Sequence, residues 1–283
     1  MTWRYGCYTS PDMPTANTDQ PSIPVVILCG GLGTRLKEET EFKPKPLVEV
    51  GGKPILWHIM KLYSHHGFKR FILCLGYKGD KIKEYFVNYE FMNSDFTLEL
   101  GNTKDRLQFH NSHLETGWQI TFLQTGEKNM TGSRVRQVEK FIDADRFMLT
   151  YGDGIANVDV QRLLAFHLSH GKIATITGVR PPSRFGELVL QGSQVKEFRE
   201  KSQVSAGLIN GGFFIFERSL FDYLDETPDC ILEKTPLERL AREGQLMAYV
   251  HEDFWQCMDT YRDYQLLNHL WESQPCPWKV WKD

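Results

Sequence analysis

Apolar positions along this chain recur in two rhythms. Short runs rich in β-branched and aromatic residues stand at Val25–Cys29, 71–75, 118–123, 147–151, 173–179 and 213–216, which is the length and composition of strands covered on both faces. Between them the apolar spacing is helical. Ile55, Leu56, Ile59, Met60 and Tyr63 recur on one face between Pro54, placed as a first helical residue, and Gly67. Asp80 is the expected cap of a helix carrying Ile82, Tyr85, Phe86 and Tyr89. Further helices are predicted after Thr131-Gly132 (with Val135, Val138 and Phe141), over 158–170 before Gly171, over 236–242 and over 261–271. Strands alternating with helices predict an α/β fold, Rossmann-like, with a mostly parallel sheet flanked by helices and right-handed crossovers.

Two stretches break the alternation. FTLEL and RLQFHN around Gly101-Asn102, and the runs 186–190 and 195–199, read as small β insertions, the first at the sheet edge and the second shaping an acceptor pocket. Leu47 to Val50 reads as a short strand turning on Gly51-Gly52. Residues 1–22, rich in Pro, Thr, Asn and Asp, read as a flexible extension, leaving 23–283 as a single domain. The tail carries Trp271, Trp278 and Trp281, too aromatic to stay in water, so it packs on the body or on a neighbouring subunit, which suggests a homo-oligomer.

Composition narrows the class. With 41% hydrophobic and 24% charged residues over 283 positions, the chain is an ordinary globular protein large enough for a sizeable core. A net charge of −3 offers no basic field for nucleic acid or anionic membrane. Six cysteines without a C-x-x-C pair suggest reduced thiols and a cytoplasmic setting, and neither a signal-peptide core nor a membrane span is read in the sequence.

Chemistry concentrates where the first strand ends. Gly30, Gly31 and Gly33 give access to positive φ and remove Cβ atoms, so backbone N–H groups can converge on an anion. Arg35 follows, and Lys43 and Lys45 stand between prolines that hold the segment extended. The arrangement reads as a triphosphate cradle. No Lys-Ser or Lys-Thr follows the glycines as a Walker loop requires, and Leu36 occupies the last glycine position of a dinucleotide fingerprint.

GGLGTRL followed by KPKPLVEVGGKPILWHIM resembles the signature of the sugar-phosphate nucleotidylyltransferases, with later landmarks in TGSR, TYGDG, INGGFF, FWQCMDT and PWKVW. The resemblance spans nearly everything from Val25 onward. It implies a nucleotide-diphospho-sugar transferase fold and, in its details, the branch that joins CTP to glucose 1-phosphate, giving CDP-glucose and pyrophosphate for deoxysugar or surface-polysaccharide precursors. Another phosphorylated acceptor, or a catalytically silent nucleotide-binding subunit, stays open on the residues alone.

Asp153 lies between glycines at a strand's carboxyl end, where open α/β sheets bind ligands. Asp259 precedes Thr260 and could instead cap the helix that follows. Nucleotide-bound Mg²⁺ takes one or two protein carboxylates, and in the family the resemblance points to, aspartates in these two motifs hold that metal. The resemblance further sets Leu28, Gly30, Gly31, Gly33, Thr34, Arg35, Lys45, Thr131, Arg134 and Asp153 against the nucleotide. It sets Glu200, Lys201, Asn210 and Gly211 against the sugar phosphate, with Arg35, Lys45 and Lys201 as the catalytic cations. Ser202 stands where relatives continue Glu-Lys-Pro, which makes Lys201 the least typical of these positions. His65-His66, and His110 with His113, have no third ligand nearby in sequence, and no G-x-S-x-G elbow occurs, so neither a zinc site nor a serine nucleophile is expected.

Overall fold

The computed structural model describes residues 23–282 except 32, 34, 101–106, 112, 182–186, 192 and 200–206. The expected extension at 1–22 and the calls on Thr34, Glu200 and Lys201 therefore fall outside the described residues. The central sheet has seven strands: β1 (Val25–Cys29), β2 (Arg70–Leu75), β3 (Gln119–Gln124), β4 (Arg146–Tyr151), β5 (Ala174–Val179), β6 (Ile209–Glu217) and β7 (Leu246–His251). They lie in the order β7-β5-β6-β4-β1-β2-β3. All neighbouring pairs are parallel except those of β6, which runs antiparallel to β4 and β5. This is the mixed, mostly parallel sheet expected from the alternation of strands and helices.

β1 is buried at every residue because both faces of the sheet are covered. Its side chains alternate, so Val25, Ile27 and Cys29 enter one core while Val26 and Leu28 enter the other. The first core is closed by helix α1 (Ile55–His65) and by the C-terminal aromatics. Trp278 is fully buried and stacks on Phe254, and His58 sits among Trp57, Trp271, Trp278 and Trp281. The tail thus packs on its own subunit. Its aromatic content gives no reason to invoke a second copy.

Several boundaries differ from the sequence reading, each for a local reason. Pro54 ends a two-residue strand paired with Glu49–Val50 and precedes the helix instead of starting it, with Gly51 and Gly52 turning between them at φ 59° and 76°. Leu47 belongs to a 3-10 turn (Lys45–Leu47), because Leu47 and Val48 donate back to the carbonyls of Pro44 and Lys45. Within KPKP, Pro44 is extended while Lys45 and Pro46 lie in the turn. Lys78, with φ 50°, is the residue that caps helix α2 (Gly79–Val87), while Asp80 lies in its first turn, where its charge complements the helix dipole. Tyr89 falls in the next short helix and Phe141 in a 3-10 turn beyond helix α3 (Thr131–Arg136). The helix over 158–170 begins instead at Val160, capped by the Asp159 side chain accepting from the Arg162 amide.

Both small hairpins are present. Phe96–Leu98 pairs with Leu107–Phe109, and Glu187–Gln191 with Gln194–Arg199. Besides Lys53–Pro54, three strands were not expected: edge strand β7, and the antiparallel ribbon of Gly154–Ala156 with Trp255–Cys257. The ribbon matters most, since it positions the site.

Candidate active site

β1 and β4 are parallel neighbours, so the segments leaving their carboxyl ends open into the same crevice. From β1 comes the glycine bend, and from β4 come Gly152 and Asp153. A cavity of about 610 Å³ opens between them, lined by Leu28, Gly30, Gly31, Lys45, Thr131, Arg134, Tyr151 and Asp153 among others.

Asp259 reaches this point through the ribbon. Cys257 pairs with Gly154, and the Met258 amide donates to the Asp153 carbonyl at 2.9 Å, which sets the two aspartates side by side although 106 positions separate them. Asp259 does not serve as the cap of the following helix, α4 here (Tyr261–Glu272). Thr260 is the cap, in a reciprocal box with Asp263, and the Asp259 amide donates to Asp263 as well. The Asp259 carboxylate faces Lys45.

Lys45 Nζ donates to Asp153 Oδ2 at 2.8 Å and to Asp259 Oδ1 at 2.5 Å, and Arg35 approaches Asp259 Oδ2 at 3.5 Å. Burial works against the Lys45 charge, but Asp153 and Asp259 outweigh it and hold the ammonium above its ordinary pKa. One positive charge therefore sits between the two carboxylates, an arrangement that fits two oxygens able to share a cation. Among the described residues no group of three or more His, Cys, Asp and Glu gathers as a metal cage, so any divalent ion held here would complete its shell with water or phosphate oxygens. Burial pushes the Cys29 thiol up and, together with Asp259, the Cys257 thiol to about 12, so neither is a nucleophile at neutral pH.

The three loop glycines are used differently from one another. Only Gly33 has positive φ, at 62°. A Cβ on Gly30 would lie 2.1 Å from Arg134 Nη1, so this position is glycine to admit a guanidinium beneath the loop. A Cβ on Gly31 would meet nothing within 4 Å. Arg134 is buried and donates to the carbonyls of Gly30, Leu75 and Glu127 and to the Thr125 hydroxyl. Its guanidinium ties the glycine bend to the ends of β2 and β3 while still lining the cavity.

Thr131 opens α3 on the cavity wall, its hydroxyl donating to Glu233. Asn210 and Gly211 lie at the start of β6, where Asn210 Nδ2 donates to the Tyr151 hydroxyl and the Gly211 carbonyl accepts from Trp255. Gly212, not Gly211, takes positive φ, at 80°. Tyr151 and Glu233 were not singled out from sequence. Tyr151 was legible as the last residue of a buried strand next to Asp153, whereas Glu233 stands in a turn that carries no motif.

A glycine bend, a lysine held between two carboxylates and a shared crevice on a mostly parallel sheet define an enzyme that handles phosphorylated nucleotides. Residues 24–283 match the model of the Nucleotidyl transferase family, and the chain belongs to that family. It is 50% identical over 258 residues to a glucose-1-phosphate cytidylyltransferase of Salmonella typhi, covering 91% of this chain and 99% of that one. It is 45% identical to a probable glucose-1-phosphate cytidylyltransferase of Bacillus subtilis, covering 90% and 99%. Among solved structures, HddC from Yersinia pseudotuberculosis superposes with a TM-score of 0.64 at 26% identity, over 88% of this chain and all of that one.

Proposed function

We propose that the protein is a glucose-1-phosphate cytidylyltransferase, converting CTP and glucose 1-phosphate to CDP-glucose and pyrophosphate. The phosphate oxygen of the sugar attacks the α-phosphorus of CTP in line, a new P–O bond forms, and the bond to the β-phosphate breaks with pyrophosphate leaving. The named activity of relatives at 50% and 45% identity supports this reading. The observation that carries it is Lys45, packed against the glycine bend at Gly33, bridging Asp153 and Asp259 at the cavity.

Two anions must be brought together, so alignment and charge neutralisation are the protein's main tasks. Gly31 leaves room for phosphate to approach the backbone, and Arg35 and Lys45 supply positive charge at the opening. Asp153 and Asp259 would hold Mg²⁺, which when bound neutralises nucleotide phosphate charge. Thr131, Arg134 and Leu28 shape the nucleotide side, and Asn210 and Gly211 the sugar side. Lys201, with Glu200, is assigned the sugar phosphate, and Thr34 the nucleotide, from the resemblance alone.

The reading places the enzyme in the cytoplasm, making a deoxysugar or surface-polysaccharide precursor. Among the described residues no helix is long and apolar enough to cross a membrane. Exposed Phe96 and Phe109 on the edge hairpin, with Phe91 on the short helix before it, support a homo-oligomer, which light scattering tests.

Pyrophosphate release over the four ribonucleotides and dTTP, crossed with several sugar 1-phosphates and with or without Mg²⁺, tests the activity. Release is expected with CTP, glucose 1-phosphate and Mg²⁺ together. Asp153→Asn or Asp259→Asn should lower kcat at least about 100-fold with the melting temperature largely kept. No release from the wild type anywhere in the panel refutes the reading.

A further inference from the structure

Glu233 precedes helix α5 (Thr235–Arg242), far in sequence from every motif of the site, yet its two carboxylate oxygens grip two cavity-wall residues. Thr131 Oγ1 donates to Oε2 at 2.5 Å, and the Tyr151 hydroxyl donates to Oε1. Each hydroxyl also accepts. The Leu232 amide donates to Thr131 at 3.0 Å, and Asn210 Nδ2 donates to Tyr151 at 3.2 Å. The Gly212 amide donates to Asn210 Oδ1 at 2.8 Å, which fixes which end of the amide is oxygen.

Every hydrogen bond in this network therefore runs toward Glu233. A carboxylate only accepts and a backbone amide only donates, so no hydroxyl can reverse without setting two donors or two acceptors against each other. Asn210 is left with one Nδ2 proton outside the network, pointing as a fixed donor.

We propose that Glu233 is a positioning residue for the acceptor. Acting through Tyr151, it locks the Asn210 amide with its NH₂ available to a hydroxyl or phosphate oxygen of the sugar phosphate. The inference rests on the function proposed above, in which Asn210 meets the acceptor and not the nucleotide.

Glu233→Gln tests it, because the substitution keeps size and changes polarity. Because the Leu232 main-chain amide fixes Thr131 as a donor, the Gln oxygen stays on Thr131 and the new NH₂ opposes the Tyr151 proton. If Tyr151 reverses, its proton confronts Asn210 Nδ2, and the amide must flip away from the Gly212 N–H.

Steady-state kinetics should show the KM for glucose 1-phosphate raised about tenfold, the KM for CTP within about twofold, and kcat lowered less than the acceptor KM is raised. Tyr151→Phe should shift the same parameter, and the double variant should be no worse than the poorer single one. That split and that non-additivity are not expected of a residue that merely holds the fold. A variant with an unchanged acceptor KM, or with both KM values raised alike, overturns the inference alone. A wild type that turns over no CTP with glucose 1-phosphate overturns the proposed function and this inference with it.

Discussion

Arg134→Ala is the sharpest probe of how the glycine bend is held. The guanidinium donates to three carbonyls and one hydroxyl, at 3.2 Å to Leu75, 3.1 Å to Gly30, 3.2 Å to Glu127 and 2.8 Å to Thr125. Hydrogen bonds from a charged donor are worth about 1.5–3 kcal/mol each, and water entering the vacated space recovers part of that. A net loss of about 3 kcal/mol follows from these magnitudes. For a chain of this size each kcal/mol moves the midpoint by about 2–4 °C, so the melting temperature should fall by about 10 °C. Arg134→Lys should recover only part of this, since an ammonium offers three donors from one point and cannot span the same acceptors. Differential scanning fluorimetry without substrate reads the stability, and CTP titration reads the loop. Alanine melting within a degree or two of wild type, with unchanged CTP affinity, would show that Arg134 does not hold the bend.

Other substitutions separate neighbouring roles. Gly30→Ala should destabilise the protein because its Cβ falls on the Arg134 guanidinium, whereas Gly31→Ala should melt like wild type and instead raise the KM for CTP about tenfold or more, as kinetics and melting together will show. Trp278→Ala, at a fully buried ring, should cost about 3–5 kcal/mol, measured by denaturant unfolding. Burial pushes the His58 pKa down to about 4, against the Val50 carbonyl contact that favours its charge. Between about pH 6.5 and 4 the unfolded chain therefore binds a proton that the folded one refuses, so stability falls as pH falls through that window, by about 3 kcal/mol in all. His58→Gln should flatten this part of the stability profile relative to wild type.

What the sequence made legible follows the physics of each element. β1, β2 and β4 announce themselves as apolar runs because the sheet buries both their faces, and the glycine bend after β1 is visible because sterics at Gly30 and Gly33 leave few alternatives to glycine. β7 hid, since an edge strand with five of its six residues reaching solvent has no such signature. The Gly154–Ala156 and Trp255–Cys257 ribbon hid for another reason: three-residue strands are stabilised by partners about a hundred positions away, not by local pattern. Asp153 and Asp259 could be picked out singly by residue type and resemblance, but their convergence on Lys45 is a property of the ribbon. Glu233 had no local mark at all. Its place is set by the tertiary packing of the turn before α5 against Thr131 and Tyr151.

That ribbon also bears on synthesis. The acidic pair is assembled from Asp153 and Asp259, 106 positions apart, so a ribosome-bound chain has one half of the pair long before the other. A nascent chain can lay down the strands around the glycine bend early, yet the site stays incomplete until the segment carrying Asp259 has emerged and folded back. Premature termination anywhere before Asp259 should consequently yield a product that lacks the assembled centre, however much of the sheet it retains.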